Sequence, residues 1–256
     1  MSGGPIALAV IGGSGLYALP GFTPERTIEA ATPWGEPSGP IRVGRLCGYS
    51  VAFLARHGES HALPPHRVNY RANLHALAEF GPQAVLAINT VGGITTACAP
   101  RALVVPDQLI DYTHGRVASY WDGAGEMRHV EFSEPYGARI RNALLDAGGD
   151  AGVALVDGAC YGATNGPRFE TRAEIARMRR DGCDLVGMTG MPEAALAREL
   201  KLDYACLAPV ANWAAGCDDG KEISLEDVFA NLAAANAQLP ALLASLLARL
   251  AGDAAA

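Results

Sequence analysis

A carboxylate, an aromatic ring and a carboxamide stand together in Asn165-Gly166-Pro167-Arg168-Phe169-Glu170 and, later in the chain, Val210-Ala211-Asn212-Trp213. Phe169 offers a stacking face, Glu170 accepts hydrogen bonds when ionised, and the Asn212 amide can donate and accept. Together they suit one planar, hydrogen-bonding heterocycle. The next residues, Thr171-Arg172-Ala173-Glu174, form a capping-box pattern, which gives Glu174 a structural task at a helix start. Glu170 precedes the cap, where a carboxylate can point outward. For Phe169 the plain alternative is a place in the core.

A second set of residues suits an anion. Gly12-Gly13-Ser14-Gly15 follows an apolar run and is short of side chains, so backbone N–H groups and the Ser14 hydroxyl could wrap one. The loop is not a dinucleotide fingerprint, because the spacing from Gly13 meets Ala18, and no Gly-Lys-Ser/Thr phosphate loop occurs. Alone, such a loop also reads as a tight turn. Arg56-His57 closes the apolar run Val51-Ala52-Phe53-Leu54-Ala55, and a guanidinium has the fork geometry that phosphate oxygens prefer. The alternative is a surface Arg in a salt bridge beside a loop-filling His. Thr90 and Thr189 each follow a buried run and would add hydroxyl donors, although a strand-end Thr also serves as a cap.

These residues need elements to carry them. Short apolar runs between amphipathic stretches predict strands at 6–11, 41–46, 50–55, 84–89, 103–105, 185–188 and 204–210. Helices are predicted over 69–80, 136–147, 171–181, 192–200 and 225–250, the first three closed by Gly81, Gly148 and Gly182. The alternation predicts an α/β fold with a central sheet flanked by helices. The loaded loops all follow strands, and in such a sheet the carboxyl ends form the ligand crevice, so the loops are expected to converge on one site.

Composition narrows the function classes. The chain has 256 residues, half of them hydrophobic, and no linker-like or repetitive stretch, which predicts one domain over 1–256. A net charge of −7 argues against a nucleic-acid surface. Arg177, Arg179 and Arg180 are expected on a solvated helix face. The cysteines are scattered without C-x-x-C pairs, as buried reduced thiols are, so no structural metal is expected. Met1-Ser2-Gly3-Gly4-Pro5 lacks a basic leader, and no run is expected to reach the length of a membrane span, so a cytoplasmic location is expected.

Together with Met188-Thr189-Gly190-Met191-Pro192-Glu193, the Phe169–Glu170 segment resembles the purine nucleoside phosphorylase and methylthioadenosine phosphorylase family. The likeness runs nearly end to end. It is strongest to the methylthioadenosine branch through Arg56-His57-Gly58, His61, Val68-Asn69-Tyr70-Arg71-Ala72-Asn73 and Ser133-Glu134-Pro135. The resemblance implies a single-domain nucleoside phosphorylase fold with a mixed sheet, assembled as a homotrimer or a pair of trimers. It implies cleavage of a purine nucleoside by inorganic phosphate, a co-substrate, with no metal or organic cofactor. By the same resemblance, Ser14, Arg56, His57, Thr90 and Thr189 are the phosphate ligands, and Phe169 stacks on the base. Met188 lies beneath the ribose, and His129 reaches the neighbouring subunit's site.

The chain departs from the adenine-specific branch, which is similar but carries a small hydroxyl residue in place of Glu170 and aspartates in place of Asn212 and Ala214. Its base residues resemble those of the 6-oxopurine phosphorylases. The physical reason agrees. A 6-oxopurine presents an N1–H donor to Glu170 and O6 with N7 to the Asn212 amide, whereas adenine would set a bare lone pair against the carboxylate. Such pairing discriminates on the order of 10⁴-fold. At the sugar end, the resemblance leads one to expect a histidine where Leu225 and Phe229 instead lie one turn apart. Ordinary helix packing would explain them; with the resemblance, they form an apolar pocket for a 5′-methylthio group.

The combined expectation is phosphorolysis of S-methyl-5′-thioinosine to hypoxanthine and 5-methylthioribose 1-phosphate, with Glu170 and Asn212 as the catalytic pair. The alternatives are a general inosine/guanosine phosphorylase, a methylthioadenosine phosphorylase, and a nucleoside-binding protein without turnover.

Overall fold

The computed structural model describes residues 5–123, 127, 129–218 and 222–253. In chain order its strands are β1 (Leu8–Gly12), β2 (Thr23–Ile28), β3 (Ile41–Leu46), β4 (Tyr49–Ala55), β5 (Val85–Ile88), β6 (Val91–Gly93), β7 (Leu103–Val105), β8 (Gln108–Asp111), β9 (Leu155–Asp157), β10 (Cys160–Ala163), β11 (Leu185–Gly187) and β12 (Tyr204–Trp213). The α-helices are α1 (Tyr70–Ala78), α2 (Ala138–Ala151), α3 (Arg172–Asp181), α4 (Glu193–Glu199), α5 (Leu225–Asn236) and α6 (Leu239–Asp253). The sheet runs β2-β3-β4-β1-β5-β12-β6-β11-β10-β8, with β7 paired to β12 and β9. It is mixed: β1 is parallel to β4 and β5, and β10 to β8 and β11, whereas β3 is antiparallel to β4, and β6 to β11. The expected α/β architecture, a central mixed sheet flanked by helices, is what the chain adopts.

Both faces of the central strands are covered, which is why they read as unbroken apolar runs. In β1, Leu8 and Val10 face one way, toward Leu242, Leu246 and Leu250 of α6 and Leu144 of α2. Ala9 and Ile11 face the other way, into the cluster holding Leu74 and Leu77 of α1 and Leu196 of α4. All of these side chains are fully buried. Helix α3 begins at the expected capping box: the Thr171 side chain accepts from the Glu174 N–H, and the Glu174 carboxylate accepts from the Thr171 N–H.

Five strands lie outside the expected ones, for local reasons. Strand β2 is an exposed edge without apolar alternation, and β6 and β10 are short and interrupted by glycines that read as turn signals. Strands β8 and β9 are short and half-buried, with an acidic residue at the end of each. Helix α2 passes through Gly148 and stops at Gly152, which takes the left-handed conformation. Gly148 instead permits close packing, since a Cβ there would lie 2.6 Å from the Leu155 side chain.

The expected helix over 225–250 is two helices. Pro240 has no N–H to donate, and its ring would meet the carbonyl of Asn236, so α5 ends there. The stretch Leu225–Gly252 does reach a membrane span's length and hydropathy, contrary to the expectation for this chain. Its α6 leucines, however, are packed against the sheet.

Candidate active site

The loops after β1, β4, β5, β11 and β12 surround one cavity of about 340 Å³. Its wall includes Ser14, Arg56, His57, Thr90, Phe169, Glu170, Met188, Thr189, Asn212, Leu225 and Phe229. Every expected site residue is therefore gathered there except His129, which is exposed and lies outside this chain's own cavity.

At one end the chain builds a polar floor. A Cβ on Gly13 would lie 2.5 Å from the Ile88 carbonyl and 3.1 Å from the Arg56 guanidinium, so only glycine allows this approach. Arg56 is fully buried, which corrects the alternative of a surface arginine. Its Nε and Nη2 donate to the two carboxylate oxygens of Glu193 at 2.8 and 3.0 Å, Nη2 also to Asn89 Oδ1 at 3.2 Å, and Nη1 to the Ile88 carbonyl at 3.1 Å. Burial alone would lower the Arg56 pKa, but the Glu193 charge and hydrogen bonds outweigh it and raise it. The Tyr204 hydroxyl donates to Glu193 at 2.9 Å.

Asn89 joins this floor to the next donor. Its Nδ2 donates to Thr189 Oγ1 at 2.9 Å, so the Thr189 oxygen acts as an acceptor and its own hydrogen is left for another partner. Thr90 Oγ1 donates to the Ser14 carbonyl at 3.2 Å and ties down the glycine loop. His57 Nδ1 lies 2.8 Å from the Leu63 carbonyl, which assigns the proton to Nδ1 and leaves Nε2 as the acceptor of the neutral ring. Burial, then the Arg56 charge, pushes the His57 pKa down to about 4.

Glu170 and Asn212 stand on the wall of the same cavity. The Thr164 hydroxyl donates to Glu170 Oε1 at 2.6 Å. The register of β12 against β6 shifts between Val210 and Asn212, a bulge that re-aims Asn212 beside Gly92. Asn212 Nδ2 donates one hydrogen to the Trp213 carbonyl at 2.7 Å, so one N–H of the amide remains for a ligand. Phe169 is not a core residue; it is 46% exposed and lies on the cavity wall. Gly166 has φ +59°, and a Cβ there would fall 2.4 Å from Met188 Sδ, which seats the loop directly on Met188.

A third part of the lining is apolar. Leu225 and Phe229, 61% and 62% exposed, join Ile223, Val228 and Leu232 along α5 and its approach. Ordinary helix packing would bury such residues, so their exposure on a cavity wall favours a ligand contact. Tyr17 stands edge-on to His61 at the same cavity, with ring centroids 5.7 Å apart.

Asn89 stands in a strand-end segment that the sequence marks as chemically loaded, but its bridge from Arg56 to Thr189, the contact of Thr164 with Glu170 and the partnership of Arg56 with Glu193 were not expected. Thr164 follows β10 as Thr90 follows β5 and Thr189 follows β11, so the same strand-end signal would have found it had β10 been recognised.

Comparison with known proteins places this geometry among relatives. A model of the phosphorylase superfamily matches residues 7–248. A probable S-methyl-5′-thioinosine phosphorylase of Xanthomonas campestris pv. campestris is 61% identical over 247 residues, covering 96% of this chain and 99% of the relative. The 6-oxopurine nucleoside phosphorylase of Pyrococcus furiosus is 43% identical over 227 residues, 86% of this chain and 84% of the relative. Among solved structures, a methylthioadenosine phosphorylase from an antarctic soil metagenomic library superposes with a TM-score of 0.89 at 36% identity, covering 97% of this chain and 87% of that one.

Proposed function

Because this chain belongs to the phosphorylase superfamily, we propose that it catalyses phosphorolysis of S-methyl-5′-thioinosine, giving hypoxanthine and 5-methylthioribose 1-phosphate. One observation carries the reading: a single cavity is lined both by Glu170 and Asn212 and by the apolar Leu225, Val228 and Phe229. The first pair suits a 6-oxopurine, and the apolar wall suits a methylthio group better than a hydroxyl. The relatives at 53–61% identity described as probable S-methyl-5′-thioinosine phosphorylases support it.

In this reading phosphate lies on the floor formed by Ser14, Arg56, His57, Thr90 and Thr189. Neutral His57 accepts the hydrogen of a P–OH through Nε2. A phosphate oxygen attacks C1′ as the C1′–N9 bond breaks, so positive charge grows on the sugar and negative charge on the purine. Asn212 stabilises the latter with its remaining N–H at the O6/N7 edge, while Glu170 accepts from N1–H. Met188 underlies the sugar, and Phe169 packs on the base. The leaving purine takes up one proton as the phosphate gives up its P–OH proton, so the step is proton-neutral, and no covalent enzyme intermediate is needed.

The reading extends to assembly. Val117, Trp121, Met127 and Val130, near His129 in sequence, are large apolar side chains left exposed, which suits contact with a second copy of the chain. A homotrimer or a pair of trimers would let His129 complete a neighbouring cavity. The scattered free cysteines fit a cytoplasmic setting.

One observation favours a second reading. The exposure of Leu225 and Phe229 leaves the sugar end open, which suits a general 6-oxopurine phosphorylase that also admits a 5′-hydroxyl. The proposal is tested by incubating the purified protein with methylthioinosine, with and without phosphate. It requires hypoxanthine and a sugar phosphate in equal amounts only when phosphate is present; binding without cleavage would overturn it in favour of a non-catalytic binder.

A further inference from the structure

We propose that Thr164 is a positioning residue for base selection, holding the Glu170 carboxylate in the one orientation that a 6-oxopurine N1–H can meet. The inference rests on the proposed function and deepens its base end.

Thr164 is well fixed. It follows β10, its N–H donates to the Gly187 carbonyl at 2.8 Å, and its own carbonyl accepts from Arg116 Nη2 at 3.2 Å. It is 9% exposed. Two acceptors lie within reach of its hydroxyl: Glu170 Oε1 at 2.6 Å and the Gly187 carbonyl at 3.4 Å. The shorter bond, to a carboxylate, takes the hydrogen. One Glu170 oxygen is thereby engaged, and the other is left for the base.

The bond arrives from outside the nucleoside cavity. Glu170 borders both that cavity and a neighbouring cleft of about 710 Å³, whereas Thr164 borders only the cleft. Thr164 therefore acts on the base through Glu170. Arg168 and Arg177 also line the cleft, paired with Glu174 and Asp181, and Arg168 still lies close enough to feel the Glu170 charge, so a released carboxylate has a cation to turn toward on the cleft side. Without the hydroxyl, N1–H of a 6-oxopurine loses its acceptor, while adenine loses an unfavourable neighbour.

The test is kcat/KM for methylthioinosine and methylthioadenosine in the parent protein and in Thr164→Val, Thr164→Ala and Thr164→Ser. Loss of a hydrogen bond to a charged group predicts a drop of roughly 10- to 100-fold with methylthioinosine for the Val and Ala variants. The methylthioadenosine value should hold or rise, so the ratio narrows. Serine, which keeps the hydroxyl, should restore the ratio. Combined with Glu170→Ala, Thr164→Val should cost nothing further. An unchanged ratio in both the Val and Ala variants, equal losses on both substrates, or failure of serine to rescue would overturn the role of Thr164 alone. A parent protein that prefers methylthioadenosine would instead overturn the base reading of the proposed function, and this inference with it.

Discussion

Arg56 and Glu193, 137 residues apart in sequence, form a two-point ion pair with neither side chain exposed, at 2.8 and 3.0 Å. The pair locks the end of β4 to the start of α4 and aims a fixed positive charge at the cavity floor. Removing one member would strand the other charge in the interior. Glu193→Ala is therefore expected to lower stability by about 3–5 kcal/mol and to raise the KM for phosphate. Glu193→Gln, which keeps the shape, should lose less. Denaturant unfolding and phosphate titrations check this; a Glu193→Ala protein of parental stability would contradict it.

His57 gives the fold a pH dependence with a definite sign. Its folded pKa of about 4 lies below the ordinary value of 6.5, so the unfolded chain binds the proton more readily between these limits. The stability from neutral His57 is complete above about pH 6.5 and is lost as pH falls toward 4, a contribution of roughly 3 kcal/mol. The difference in stability between the parent and His57→Asn should shrink over that interval. A difference that stays constant from pH 7 to 4.5 would exclude His57 as the source.

The sugar end should separate binding from stability. Leu225 and Phe229 are more than half exposed, so truncating either removes little from the core. Leu225→Ala and Phe229→Ala are expected to change stability by less than about 0.5 kcal/mol. Each should lower kcat/KM for methylthioinosine about 10-fold or more while sparing inosine. Equal effects on both nucleosides would remove these side chains from the 5′ pocket.

Much of this arrangement was legible in the chain because both periodicity and strand-end chemistry are local signals. The apolar runs of β1, β4, β5 and β12 are buried on both faces and announce themselves, and the capping box at Thr171 marks its own helix. Pro240, which divides α5 from α6, was equally local, but it was masked by the leucine repeat around it. What sequence could not supply were the partners. Glu193 is joined to Arg56 only by the sheet order, and Asn89 joins Arg56 to Thr189 across a hundred residues. Thr164 was hidden because Cys160-Tyr161-Gly162-Ala163 is short and broken by a glycine, yet pairs as a strand between β8 and β11. Within the described residues, His129 is the expected site residue that one copy of the chain does not bring to the cavity.

One cavity holds both the residues suited to a 6-oxopurine, Glu170 and Asn212, and those suited to an apolar 5′ substituent, Leu225 and Phe229. The most direct measurement is kcat/KM for methylthioinosine, methylthioadenosine and inosine with the same protein at saturating phosphate. Methylthioinosine should exceed both of the others, with methylthioadenosine lower by orders of magnitude. Preference for methylthioadenosine would contradict the roles of Glu170 and Asn212, and parity with inosine would contradict those of Leu225 and Phe229.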